Sequence, residues 1–248
     1  MCLLNIFDGS RRIEAVFFDA AGTLFEVRGS IGEIYTRFAR HYGIDSEPGE
    51  IQKAFTNCFR AQPPLAFPSG TPEKELNRLE RNWWRNLVKC VFSGYFFPQF
   101  DELFSDLFEY FRSREAWYLY DDVVPVLTNL KDNGLRLAVI SNFDSRLYEL
   151  LKVFEIDRFF DGMHISSRIG AAKPDAAIFQ AALRQQGVPA ERAVHVGDSW
   201  REDVEGARSA GIKPVLLERS GDVTVIDELI IINRLDQLIE GLNKIIGA

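Results

Sequence analysis

Four short runs along the chain are apolar at nearly every position: "EAVFFD" (14–19), "LRLAVISN" (135–142), "AVHVGD" (193–198) and "PVLLER" (214–219). A strand with one face in water alternates apolar and polar residues, so unbroken runs predict strands covered on both faces. Between the later runs, apolar residues return at helical spacing in "SRLYELLKVF" (145–154), "DAAIFQAALRQQG" (175–187) and "REDVEGARSAG" (201–211). The last two close on a glycine, which suits a helix C-cap. "ELIIIN" (228–233) and "RLDQLIEGLNKII" (234–246) add a further strand and a terminal helix. Strand and helix therefore alternate, which predicts an α/β fold with a parallel sheet and right-handed crossovers. Ligands of such sheets bind beyond the carboxyl ends of the strands.

Residues 26–118 break the alternation with successive helical periods and no convincing strand. Ser30 and Glu33 form a capping box, and Ile31, Ile34, Tyr35, Phe38 and Tyr42 follow on one face. Further helices read at 49–61, 72–92 and 98–112, the last with a stripe of Phe100, Leu103, Phe104, Leu107, Phe108 and Phe111. The four prolines of "PPLAFPSGTP" (63–72) mark a loop between the second and third. The chain thus divides into an α/β core, 1–25 with 119–248, and an inserted helical domain, 26–118. Its aromatic residues, Trp83 and Trp84 included, lie at the spacing of core positions.

A length of 248 residues with 46% apolar content suffices for a large core. The net charge of -7 argues against a nucleic-acid surface, which rests on clustered Lys and Arg. Three cysteines, Cys2, Cys58 and Cys90, are too few and too scattered to indicate a disulfide framework or a CxxC metal site, and they fit a reducing compartment. The apolar run in "MCLLNIFDGSRR" is too short for a signal peptide, and nothing approaches the ~18 apolar residues of a membrane span. The expectation is a cytoplasmic protein with no membrane or nucleic-acid partner. Its oligomeric state is not readable.

The strand ends carry the chemistry. Asp19 and Asp198 each end an apolar strand, so both can project from one edge of the sheet and share a hard cation such as magnesium. Either acid alone is also an ordinary turn or helix-cap residue. Ser141 ends "VISN", where a hydroxyl and the opening of a helix favour an anion. Lys173 in "AAKP" supplies a cation next to a proline that restricts the backbone before it. His195 lies inside an apolar strand and reads as a core or supporting histidine.

Taken in order, "FFDAAGTLF", "VISN", "KP" and "GDSWREDVEGA" resemble the four motifs of the haloacid dehalogenase (HAD) superfamily, and the insert resembles its helical C1-type cap. "LRLAVISNFDSRL" is similar to the HDHD3 or Reg-2-like branch, whose substrate is uncertain. The resemblance implies a Rossmann-like core and a hydrolase acting on a small phosphorylated molecule through an aspartyl-phosphate. It implies Asp19 as the nucleophile, with Ser141, Asn142 and Lys173 holding the phosphate. Magnesium (Mg2+) would be held by Asp19, Asp198 and the backbone carbonyl of Ala21. Asp203 would orient Lys173 or a metal-bound water, although an acid in a first helical turn needs no such role.

Phosphatases of this kind usually carry a second aspartate two residues after the nucleophile, to protonate the leaving oxygen and then deprotonate water. Here the residue is Ala21. Loss of a general acid-base costs ~10²–10⁴ in rate. Four readings are open at this point. They are a magnesium-dependent phosphatase for good leaving groups or with an acid from elsewhere, a 2-haloacid dehalogenase, a phosphonatase-like enzyme with a cap lysine (Lys53, Lys74 or Lys89), and a weakly catalytic regulatory or binding protein.

Overall fold

The computed structural model describes residues 13–219, 225–226 and 229–247. Cys2 and the "MCLLNIFDGSRR" segment, as well as the first residue of "ELIIIN", lie outside them. The first strand, β1 (Ala15–Phe18), is followed by a tight turn and β2 (Phe25–Val27). Four helices come next: α1 (Ile31–His41), α2 (Pro48–Ala61), α3 (Glu73–Val91) and α4 (Phe100–Tyr110). After β3 (Trp117–Leu119) the chain runs through α5 (Val123–Asp132), β4 (Arg136–Ser141), α6 (Arg146–Val153), β5 (Gly162–Ile165) and α7 (Ser166–Ile169). Then come α8 (Ala176–Gln186), β6 (Ala193–Gly197), a π-helical turn (Trp200–Glu205) and α9 (Gly206–Ser209). The chain continues through β7 (Lys213–Leu217), β8 (Val225–Ile226), β9 (Leu229–Ile232) and α10 (Leu238–Gly247).

Among the described residues, seven strands form one sheet in the order β5-β4-β1-β6-β7-β9-β8, parallel except for the terminal pair β8 and β9. The strands alternate between two cores, which explains their continuous hydrophobicity. Val16, Phe18, Leu137, Val139, Val194 and Val196 face the large cluster under α5 and α6. Ala15, Phe17, Ala138, Ile140 and Ala193 face Ile178 and Phe179 of α8 on the other side. Each buried phenylalanine on β1 contributes roughly 1.5–3 kcal/mol of burial.

Helices α1 to α4 build a third core around Tyr35, Ile51, Trp83, Leu87, Leu103 and Leu107. The Ser30–Glu33 capping box starts α1 as the sequence implies. Both ends of the insert meet in a two-stranded antiparallel ribbon of β2 with β3, in which Phe25 faces Leu119 and Val27 faces Trp117. Residues 26–27 and 117–118 are therefore strand, a departure from the strandless reading of 26–118. Phe25 and Trp117 stack edge to face at 5.3 Å inside the sheet's own core, and that packing rather than local pattern makes the ribbon.

The cysteine reading is corrected. Cys58 of α2 and Cys90 of α3 are disulfide-bonded, with Cα atoms 6.0 Å apart and a separation of 32 positions in sequence. Only the packing of two helices brings them together, so spacing along the chain could not show the pair. No helix among the described residues is long and apolar enough to cross a membrane.

Candidate active site

Of the adjacent strands β4, β1 and β6, the first ends at Ser141 and the other two are followed directly by Asp19 and Asp198. The sheet order thus converts three distant sequence positions into one edge. Asp19 is held by its backbone N–H, which donates to the Val196 carbonyl at 2.9 Å. The turn after it needs Gly22, whose φ is +82° and whose missing Cβ would stand 2.5 Å from Asp198 Oδ2. Gly197 serves likewise, because a Cβ there would meet Asp203 Cγ at 2.1 Å. Ser199 caps the π-helical turn by accepting from the Glu202 N–H, and the turn delivers Asp203 beneath Asp198.

Lys173 is the hub of the site. Its Nζ donates to Asp19 Oδ1 at 2.7 Å and to Asp203 Oδ1 at 2.6 Å, with all three side chains buried. Asp203 Oδ1 also meets His195 Nε2 at 2.8 Å, and its Oδ2 accepts from the Ser199 N–H at 3.0 Å. Burial works against the Lys173 charge, but the two carboxylates hold its pKa above the ordinary value. Burial also opposes ionised Asp203, yet Lys173 and His195 hold that acid well below the usual carboxylate range. Asp19 moves the other way, because desolvation outweighs the help from Lys173.

Asp198 is an exposed residue whose carboxyl faces the two buried acids. Desolvation first, then the charges of Asp19 and Asp203, push its pKa up to about 7. One oxygen from each of these three acids lies within 4.8 Å of the others. Crowded carboxylates, two of them, Asp19 and Asp198, with raised pKa values, offer a hard oxygen set that a divalent cation would neutralise, so the residues present fit magnesium. The oxygens of Asp203 are already engaged by Lys173, His195 and Ser199, which leaves Asp19 and Asp198 as the open donors.

Ser141 is buried at the end of β4. Asn142 grips the backbone of Lys173 on both sides, accepting from its N–H at 2.7 Å and donating to its carbonyl at 3.0 Å. Its amide also donates to Glu202 at 3.0 Å, so the structure brings it to the site through Lys173. Lys53, Lys74 and Lys89 lie exposed on α2 and α3. The sequence reading missed Glu202, whose only local signal is an acid beside Asp203. It also missed Arg219, which donates to the Thr23 carbonyl at 2.6 Å and to Asp122, and lies 3.4 Å over the Tyr120 ring. Arg219 thereby braces the turn that follows Asp19.

A family model describing haloacid dehalogenase-like hydrolases matches residues 13–211. The haloacid dehalogenase-like hydrolase domain-containing protein 3 of Danio rerio is 34% identical over 216 residues, covering 86% of this chain and 88% of that protein. Among solved structures, a HAD phosphatase from Thermococcus onnurineus superposes with a TM-score of 0.66 at 25% identity, over 93% of this chain and 98% of that one. A 2-haloacid dehalogenase from Pseudomonas syringae pv. Tomato DC3000 gives 0.65 at 25%, over 94% and 99%.

Proposed function

The chain belongs to the haloacid dehalogenase-like hydrolases, and we propose that it is a magnesium-dependent phosphatase of a small phosphorylated molecule, with Asp19 as the nucleophile. The observation that carries this reading is the three-acid cluster of Asp19, Asp198 and Asp203 around the buried Lys173. A carboxylate cluster suits a cation and a phosphate, and it is more acid than halide displacement requires. Lys173 fixes Asp19 Oδ1, so the second carboxylate oxygen is the one presented for attack on phosphorus. Attack by Asp19 on phosphorus forms an aspartyl-phosphate as the bond to the leaving oxygen breaks, and water then hydrolyses the aspartyl-phosphate to free Asp19 and phosphate, which splits one difficult displacement into two easier ones. The charge of Lys173 and the hydroxyl of Ser141 at the end of β4 favour the phosphate oxygens. Asp19, Asp198 and the Ala21 carbonyl would hold magnesium, which when bound offsets the negative charge of nucleophile and phosphate. Asp203 and Asn142 keep Lys173 in place.

Ala21 favours a second reading, a 2-haloacid dehalogenase, because halide leaves without a proton. One experiment separates the two. Purified protein with magnesium is assayed for phosphate release from acetyl phosphate and para-nitrophenyl phosphate, and for chloride release from 2-chloropropionate. Phosphate release that is lost in Asp19→Asn supports the phosphatase. Chloride release without phosphate release overturns it in favour of the second reading.

A further inference from the structure

The residues after Ser141, "NFDSR" at 142–146, are held largely by a helix of the insert. Glu80 is the one buried charged residue of α3, at 4% exposure. Its Oε1 accepts from the Ser145 N–H at 3.2 Å, the Ser145 hydroxyl at 2.9 Å and the Ser167 hydroxyl at 2.6 Å. One turn further along, Trp84 Nε1 donates to Asp144 Oδ2 at 2.5 Å. Asp144 pairs with Arg146 at 2.7 Å, and that guanidinium lies 4.8 Å over Trp84 and 4.3 Å over Phe108. The i,i+4 spacing places Glu80 and Trp84 on one face of α3, so consecutive turns grip consecutive residues of the loop.

Ser145 is the N-cap of α6, yet its own side chain makes no capping bond. The Arg146 N–H donates to Asp144 Oδ1 at 2.9 Å, and Glu80 from another helix takes the N–H of Ser145 itself, at a helix start whose dipole favours a negative charge. Simple packing of α3 would be met by an apolar residue. A buried acid is costly unless it is hydrogen-bonded, and all three donors to Glu80 come from 145 and 167.

We propose that Glu80 is a positioning residue: it fixes the start of α6, and through it Ser141 and Asn142, so that docking of α3 sets the affinity of the site for phosphate. The inference rests on the phosphatase reading above. It is tested on the full chain in Glu80→Ala and in Glu80→Gln, which keeps the shape and one acceptor oxygen. Three readouts are used: calorimetry of inorganic phosphate with magnesium, steady-state kinetics on para-nitrophenyl phosphate, and amide hydrogen exchange at 142–147.

Glu80→Ala is expected to weaken phosphate binding and raise KM by about tenfold or more, the scale of one hydrogen bond to a charged acceptor. Its kcat should fall by less than KM rises, because Asp19 stays held by the Val196 carbonyl and the Lys173 ammonium keeps its bonds to Asp19 and Asp203. Exchange at 142–147 should quicken while β1 and β6 keep their protection, and Glu80→Gln should recover most of the loss. Unchanged phosphate affinity with unchanged exchange at 142–147 in folded Glu80→Ala overturns the proposal, as does a Glu80→Gln variant equally impaired. If the wild-type protein binds no phosphate, the phosphatase reading is what fails, and exchange at 142–147 still decides whether Glu80 holds the loop.

Discussion

Replacing His164 with leucine should remove a pH dependence that the fold builds into β5. His164 is 4% exposed, and neither ring nitrogen makes a hydrogen bond within the described residues. Burial pushes its pKa down to about 4, with the nearby Gln185 side chain opposing the shift. An unfolded histidine titrates near ~6.5, so below that pH the unfolded chain binds a proton that the folded chain refuses. The contribution is therefore fully present above about pH 6.5 and is lost as the pH falls toward 4, which amounts to about 2 kcal/mol between pH 7.5 and pH 5. Urea unfolding of the wild type and of His164→Leu at those two pH values isolates this group, because every other titrating residue is common to both. The stability of the wild type relative to the variant should fall by about 2 kcal/mol on acidification, while at pH 7.5 the leucine should be neutral or stabilising, since no unpaired nitrogens stay buried. A difference that does not change with pH refutes the reasoning and places the proton on His164 in the folded state.

Asp198→Asn should weaken magnesium binding measured by calorimetry, because it removes one of the two open carboxylates; unchanged affinity removes Asp198 from the site. Ala21→Asp should raise hydrolysis of alkyl phosphates more than of aryl or acyl phosphates, by up to ~10²–10⁴ if the new acid meets the leaving oxygen. An unchanged alkyl-to-aryl ratio in a folded, magnesium-binding variant means another group already supplies the proton. Cys58→Ser should cost roughly 3–4 kcal/mol by the loop-closure account of a 32-residue separation. Equal thermal midpoints of the wild type with and without reductant contradict that.

How much was legible in the sequence follows from what each element depends on. β1, β4, β6 and β7 were readable because strands between two cores must be apolar on both faces, and the end of each such run located Asp19, Ser141 and Asp198. The strand β5, "GMHI", is short and mixes a glycine with a histidine, so it carries no pattern and exists through its pairing with β4. Helix α5 begins "VVPV", β-branched residues around a proline that is tolerated only in the first turn, and its helicity comes from packing on the sheet. The candidate site was legible at its motif residues, whereas the second grip on Lys173 by Asn142 and the reach of Glu80 to Ser145 span 31 and 65 residues. Contacts of that range leave no mark at any local spacing.

The central claim is that Asp19 is phosphorylated during turnover. With alanine at position 21, no side chain there activates the water that clears the intermediate, so an aspartyl-phosphate should accumulate rather than vanish. Protein mixed with magnesium and acetyl phosphate, quenched in acid and mapped by peptide mass, should carry one hydroxylamine-labile phosphoryl group on the peptide containing Asp19, and none in Asp19→Asn. A folded, magnesium-binding wild type that releases phosphate while carrying its phosphoryl group on another residue would contradict the account.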